Sequence, residues 1–386
     1  MQKTVKKILF LTIDFPPQGG GMARHSFDIA CALKQLGEAV HIVAPLGEGD
    51  NGAGERGLDI HRLKNLKAQK IFDSYAGSAL RYFSYGLGYC VNHRVKLVLV
   101  NTWSIAGVAA FLLKKSLGVP YIVFAHGLDV YGPKRSKKAS WLMKLVLRNA
   151  SLIIANSNFT LSLLKENISE ERIAVLHPAV DAARFGQAGH CGMTRFAGKL
   201  VILTVARLVE SKGHKTVIQA LPEVLKQFPN AVYLVVGDGP LSAELKETAA
   251  GLGLAGKVIF EGNAGEDKLA DYFSCCDIFA MVSKEIPERG EVEGFGIAYL
   301  EAAACAKPSI GAKSGGIPDA VLDGVTGILV EPDNPGELSR VLIRLLGDKG
   351  LRDKLGENAK NRAAEEFNTL RFGERLEKII NNVLDN

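Results

Sequence analysis

EVEGFGIAYLEAAACAKPSI, residues 291–310, is the stretch on which the fold turns. Gly294 and Gly296 interrupt the chain after Glu293, an apolar segment with helical spacing takes over near Ile297, and a short strand follows at Ser309–Ile310. Turn, helix and buried strand in that order form half of a parallel crossover. Outward from this point the same alternation recurs in both directions. Short β-branched runs at Val201–Ala206, Val232–Gly237, Val258–Glu261 and Ile278–Val282 are each followed by a helical pattern. Earlier runs at Ile8–Ile13, Val40–Ala44, Leu97–Asn101, Tyr121–Ala125, Leu152–Ala155 and Ile173–Leu176 behave alike. Strands alternating with helices throughout predict an α/β protein with parallel sheets covered on both faces.

With 386 residues the chain exceeds one ordinary core and fits two domains. Asp181–Gly198, rich in Gly and Ala and without period, reads as the linker. Two tandem open sheets predict one Rossmann-like unit per ligand. By the switch-point rule each would bind outside the carboxyl ends of its strands, so donor and acceptor would meet in a cleft. The last fifty or so residues read as helical, and Leu370–Leu384 has the spacing of a helix able to cross back onto the first domain. No repeat of 20 to 50 residues is visible, which argues against a solenoid.

Composition excludes several classes. Apolar residues make up 47% and charged residues 23%, ordinary for a folded protein. The longest nearly apolar run, Leu97–Leu113, is broken by Asn101, Thr102 and Ser104, too soon for a membrane span. MQKTVKKILFLTIDFPP mimics a signal peptide, but its short apolar run reads better as a first strand. Six scattered cysteines without a C-x-x-C pair argue for a reducing cytoplasm and against structural zinc. The adjacent Cys275 and Cys276 read as core residues. The net charge of +6 is uneven: residues 1–184 carry 24 Lys and Arg against 13 Asp and Glu, and the remainder is net acidic. Such a basic half suits an anionic partner, either nucleic acid or a membrane surface.

Four places carry candidate chemistry. The first strand empties into Gly19, Gly20 and Gly21 ahead of a helix near Met22, where the backbone and a helix N-terminus can approach a phosphate; a plain strand-to-helix turn reads the same. His126 ends the strand Tyr121–Ala125 and points toward a ligand crevice, with Asp129 and Tyr131 beyond it to contact hydroxyls or cap the loop. Arg207 and Lys212 sit between a strand end and a helix start, which suits a diphosphate, although a solvated loop has the same composition. Glu293 and Glu301 flank the glycines. A backbone amide there can reach a phosphate or sugar oxygen, and a carboxylate a little over two turns down the helix can accept from both ribose hydroxyls.

These motifs in this order resemble a retaining glycosyltransferase of family 4, with the two-Rossmann architecture called GT-B. The resemblance spans essentially the whole chain, from Gly19–Gly21 through HGLDV at His126, HPAVDAARF at His177–Phe185 and Arg207 with Lys212 to the glutamate pair. It implies an acceptor-side domain over 1–185, joined by a C-terminal helix over 370–386, and a donor domain over 199–369. It places Arg207 and Lys212 on the donor diphosphate, Glu301 on the ribose, and Glu293 with Gly294, Phe295, Gly296 and Ile297 around the sugar. Gly19 and Gly20 would touch the diphosphate, Asn263 and Ala264 the base, and His126 and Asp129 the acceptor or sugar. His126, Glu293, Arg207 and Lys212 are the residues assigned to catalysis.

More narrowly, VEGFGIAYLEAAACAKPSIGAKSGGIPDAV is similar to bacterial phosphatidylinositol-mannoside mannosyltransferases, which use GDP-mannose. The linker hallmark departs from the family's usual P-N-G-V-D by reading Pro178-Ala179-Val180-Asp181 after His177, which implies a shifted interdomain turn. No D-x-D motif is present, so no metal and no cofactor beyond the nucleotide-sugar co-substrate is expected. The expected acceptor is a glycan or lipid-linked molecule, and the expected location is the cytoplasm, with peripheral contact at the inner membrane face. Two rival classes remain: a non-hydrolysing nucleotide-sugar epimerase of the same architecture, and a nucleic-acid or membrane-binding module built on Lys134, Arg135, Lys137, Lys138, Lys144 and Arg148 beside Trp141.

Overall fold

The computed structural model describes residues 5–47, 57–64, 72–186 and 194–385. The chain divides into two compact units, one of Met1–Ala179 with Thr369–Asn386 and one of Val180–Asn368. The expected linker is partly structured: Ala182–Gly186 is helical, and Phe185 is buried edge-on against Phe273 of the second unit. Residues 187–193 of that stretch, with Cys191, lie outside the described residues.

The first unit holds a seven-stranded sheet of β1 (Lys7–Leu11), β2 (Ala39–Pro45), β3 (Asp59–Leu63), β4 (Leu97–Val100), β5 (Tyr121–Ala125), β6 (Leu152–Ala155) and β7 (Ile173–Val175). Their order is β3-β2-β1-β4-β5-β6-β7 and every pair is parallel. The alternation of side chains explains the continuous apolar runs. Ile8 and Phe10 join Leu97, Leu99, Ile122 and Phe124 in one core, whereas Leu9 and Leu11 join Val98, Val100 and Val123 in another. A strand buried on both faces has no polar side to show. The helix Thr369–Asp385 buries Phe372, Leu376 and Ile380 at four-residue spacing in the first of these cores, which returns the C-terminus to this unit.

The second unit repeats the plan with β8 (Leu200–Val205), β9 (Ala231–Val236), β10 (Val258–Gly262), β11 (Ile278–Met281), β12 (Ser309–Ala312) and β13 (Gly327–Val330). The order is β10-β9-β8-β11-β12-β13, again all parallel. Both sheets therefore reverse direction once, between β1 and β4 and between β8 and β11. A reversal leaves a crevice at the strand carboxyl ends, because the two flanking loops run to opposite faces. The GT-B fold class holds, with two edge strands, β3 and β13, that the sequence reading did not contain. Cys275 and Cys276 are both buried in the core of the second unit, as expected of them. No helix among the described residues is long and apolar enough to cross a membrane.

Candidate active site

In the second unit the loops after β8 and β11 flank the reversal, and the two strongest candidates meet there. Lys212 lies at the end of the loop that follows β8 and Glu293 on the loop that follows β11. Eighty-one positions apart in sequence, they form a short ion pair. The Ser283 hydroxyl reaches the same Glu293 oxygen at 3.5 Å. Backbone geometry fixes both partners. Gly213, just after Lys212, has φ 74°, and a Cβ there would lie 2.2 Å from the Val282 carbonyl oxygen. Gly316 donates its N–H to the Glu293 carbonyl at 2.9 Å, and a Cβ on Gly315 would lie 2.2 Å from that same oxygen. The turn Ser314–Gly316 thus clamps Glu293, and sequence reading passed over both it and Ser283.

The glycines of the motif separate into distinct roles. Gly296 caps the helix Ile297–Ala304 with φ 92°, a left-handed conformation that side chains avoid. The Phe295 ring is buried against Phe367, so only its backbone is available to a ligand. Glu301, half-buried, is the fifth residue of the helix, just over one turn from its start rather than two, and Glu293 precedes the helix altogether. The carboxylates therefore come from a loop and a helix, not from one helical face.

Arg207 stands exposed at the mouth of the loop that follows β8. Its backbone is held from behind: Leu208 donates to Asp238 O at 3.0 Å, and Leu241 donates to Leu208 O at 3.1 Å. The turn Gly237–Pro240 is the buttress of this loop. Asn263, exposed, and Ala264, half-buried, follow edge strand β10, two strands from β8. Among the described residues no group of three His, Cys, Asp or Glu could hold a metal ion.

In the first unit the chemistry again gathers at the reversal, here between β1 and β4. Gly19 and Gly20 are exposed in the loop after β1, and Gly20 starts the helix Gly21–Gln35 with φ 117° and no side-chain cap. The space around Gly20 is open, so the angle rather than crowding requires glycine. His126 follows β5. Its Nε2–H donates to the Asn101 carbonyl at 2.8 Å, since a carbonyl oxygen can only accept. Its backbone N–H donates to Asp129 Oδ1 at 2.8 Å, while Asp129 Oδ2 accepts from the Thr102 hydroxyl at 3.2 Å. Both Asp129 oxygens thus organise the loop. Burial pushes the Asp129 carboxyl above its ordinary range, and nearby His126 partly offsets the rise. Asp14, absent from the sequence candidates, is shifted the same way by the same two causes.

Two Rossmann-like units each place candidate ligand residues at the carboxyl ends of their strands, where open α/β sheets bind their ligands. Residues 194–362 match the family described as glycosyl transferases group 1, and residues 19–184 match glycosyltransferase family 4. The chain belongs to this glycosyltransferase family and is a glycosyltransferase.

Among curated relatives, it is 25% identical over 383 residues to the GDP-mannose-dependent alpha-(1-6)-phosphatidylinositol monomannoside mannosyltransferase of Mycolicibacterium smegmatis, covering 97% of this chain and 98% of the relative. It is 27% identical to the GDP-mannose-dependent monoacylated alpha-(1-6)-phosphatidylinositol monomannoside mannosyltransferase of Corynebacterium glutamicum, with coverage of 97% and 98%. Among solved structures, Anabaena HepE in complex with UDP and glucose superposes with a TM-score of 0.81 at 23% identity, over 97% of this chain and 99% of that one. At that identity the likeness speaks for the fold.

Proposed function

We propose that the chain is a retaining, metal-independent hexosyltransferase that moves mannose from GDP-mannose to a lipid-linked or glycan acceptor. The observation that carries the reading is the Lys212–Glu293 pair at the β8/β11 reversal. A cation there suits a leaving diphosphate, and a carboxylate one ion pair away suits the hydroxyls of the sugar that leaves it. Arg207 adds a second, forked cation, Glu301 takes the ribose, and the amides of Gly294–Gly296 complete the sugar pocket. In the first unit His126 Nδ1 hydrogen-bonds a hydroxyl, with Asp129 holding its loop. The motifs supply no evident carboxylate nucleophile of the kind retaining glycosidases use. The proposed path is therefore front-face: the leaving phosphate oxygen takes the acceptor's proton as the new glycosidic bond forms, and positioning and electrostatics supply the acceleration. The mannose and GDP assignments are supported by the mannosyltransferase relatives over nearly the full chain.

A thermal-shift series with GDP, UDP and ADP tests the donor. GDP at a hundred times its dissociation constant should stabilise the protein by about 2.7 kcal/mol, with UDP and ADP well below it. A larger shift with UDP would replace GDP-mannose by a uridine donor. Incubation with the donor alone separates the epimerase class, since an epimerase converts the donor sugar and a transferase leaves it intact apart from slow hydrolysis.

A lipid-linked acceptor is supported by the helix Lys137–Asn149. Its inner face buries Met143, Val146 and Leu147, while its outer face carries Lys137, Trp141, Lys144 and Arg148 at helical spacing. Trp141 is 65% exposed, and no Asp or Glu occurs between Asp129 and Glu166. Lys134 pairs with Glu166 at 2.7 Å, but Arg135, Lys137, Lys138 and Lys144 have no ion-pair partner among the described residues. An aromatic ring among unpaired cations matches an anionic bilayer interface. Sedimentation with vesicles containing anionic lipid should carry the protein down, and the double substitution Lys137→Glu with Lys138→Glu should abolish this. Sedimentation unchanged by that substitution would remove the membrane reading.

A further inference from the structure

His25 sits in a cluster of four rings in the first unit, with Phe124, Phe372 and His126. Fifth residue of the helix Gly21–Gln35, it is 2% exposed, and neither ring nitrogen has a hydrogen-bond partner among the described residues. Its ring stands near-perpendicular to three others: Phe124 at 5.9 Å, Phe372 at 5.7 Å and His126 at 5.4 Å between centroids. Burial, then the proximity of His126, drives its pKa well below the usual histidine value, so the ring is neutral at pH 7. Leaving a buried polar atom unpaired costs about 1–3 kcal/mol. With no hydrogen-bond partner for either nitrogen among the described residues, what His25 contributes comes from the shape and placement of its ring.

What that ring faces is His126. The imidazole of His126 is anchored by one side-chain hydrogen bond, Nε2–H to Asn101 O, and a single bond does not stop a ring from swinging. A perpendicular ring packed at 5.4 Å does. Edge-to-face aromatic pairs add about 0.5–1.5 kcal/mol beyond the area they bury. Phe372 packs on His25 from the C-terminal helix Thr369–Asp385. The contacts thus run from that helix through His25 to the ring at the end of β5.

We propose that His25, backed by Phe372, is the positioning residue that holds the His126 ring in the orientation in which Nε2–H donates to the Asn101 carbonyl, making the C-terminal helix part of the catalytic apparatus. The statement about the His126 ring rests on the packing; its consequence for transfer rests on the transferase reading above. Two readouts keep these apart. The first is the nitrogen-shift pattern of the His126 imidazole by NMR, which needs no substrate. The second is steady-state transfer with the donor that the nucleotide series selects.

The variants are His25→Ala, His25→Phe and Phe372→Ala, each checked for a cooperative thermal transition. His25→Ala and Phe372→Ala should replace the single nitrogen-shift pattern of a His126 ring with Nε2–H on a carbonyl by a mixture of patterns. They should also lower kcat at least about tenfold while leaving KM for the donor within about twofold. His25→Phe should restore the wild-type pattern, keep kcat within about threefold and raise the melting temperature by removing the orphaned nitrogens. A folded His25→Ala protein with the wild-type His126 pattern overturns the proposal. So does a His25→Phe protein as impaired as His25→Ala, and a Phe372→Ala protein with an unchanged pattern removes the helix from it. If no donor supports transfer, the transferase reading fails, and the NMR pattern still decides the positioning claim.

Discussion

Lys212→Ala should cut kcat by about 30- to 1,000-fold, corresponding to about 2–4 kcal/mol of lost transition-state stabilisation. Charge grows on the diphosphate as the sugar departs, and a fixed cation there acts mainly in the transition state. The substitution also strips the Glu293 carboxylate, whose side chain is only 12% exposed, of its counter-ion. Stability should fall as well, by about 1–3 kcal/mol, because the substitution leaves a largely buried carboxylate without its counter-ion. Arg207→Ala should lower kcat in the same direction with no effect on folding, since Arg207 is exposed. Steady-state kinetics alongside thermal melts checks both. Turnover near the wild-type rate in either variant would take the diphosphate away from that residue.

Gly315→Ala carries the second large effect, and it acts on Glu293 from behind. Gly315 has φ +54°, and its added Cβ would lie 2.2 Å from the Glu293 carbonyl oxygen and 2.9 Å from Val292 Cγ2. The left-handed backbone costs roughly 1–2 kcal/mol for a residue with a side chain, and relief of the clash costs about 1–3 kcal/mol more. The Glu293 carbonyl is backbone and cannot swing aside alone, so the loop should shift and carry the carboxylate away from Lys212. The expected result is a destabilisation of about 2–5 kcal/mol in denaturant melts, with transfer falling further than residual folding explains. A variant with wild-type stability and turnover would show that the Ser314–Gly316 turn does not clamp Glu293.

The buried centres of both sheets were legible in the sequence because they are buried twice. Tyr121–Ala125 and Leu152–Ala155 are apolar at every position, as strands between two helical layers must be, and the structure places them at those residues. The edge strand β3 lacks that signature. Asp59–Leu63 reads DIHRL, with no run to mark it, and it forms a strand because β2 offers it a free edge. Among the candidate residues, types and flanking glycines were readable, and contacts were not. Nothing in the spacing of Lys212 and Glu293 says that they touch; that follows from strand order, which puts β8 beside β11. Asp129 read equally as a hydroxyl contact or a loop cap, and its two oxygens are committed within the loop. Asp14 and His25 drew no notice because their significance lies in burial beside His126, which a sequence does not display.

The central claim is that a nucleoside diphosphate binds at the β8/β11 reversal with its ribose on Glu301. Calorimetric titration of GDP into the wild-type protein and into Glu301→Ala tests this without any acceptor. Loss of a hydrogen-bonded carboxylate should weaken binding by about 1.5–3 kcal/mol, roughly 10- to 150-fold, with the melting temperature of the free protein unchanged. Equal affinity for GDP in the two proteins would contradict the account.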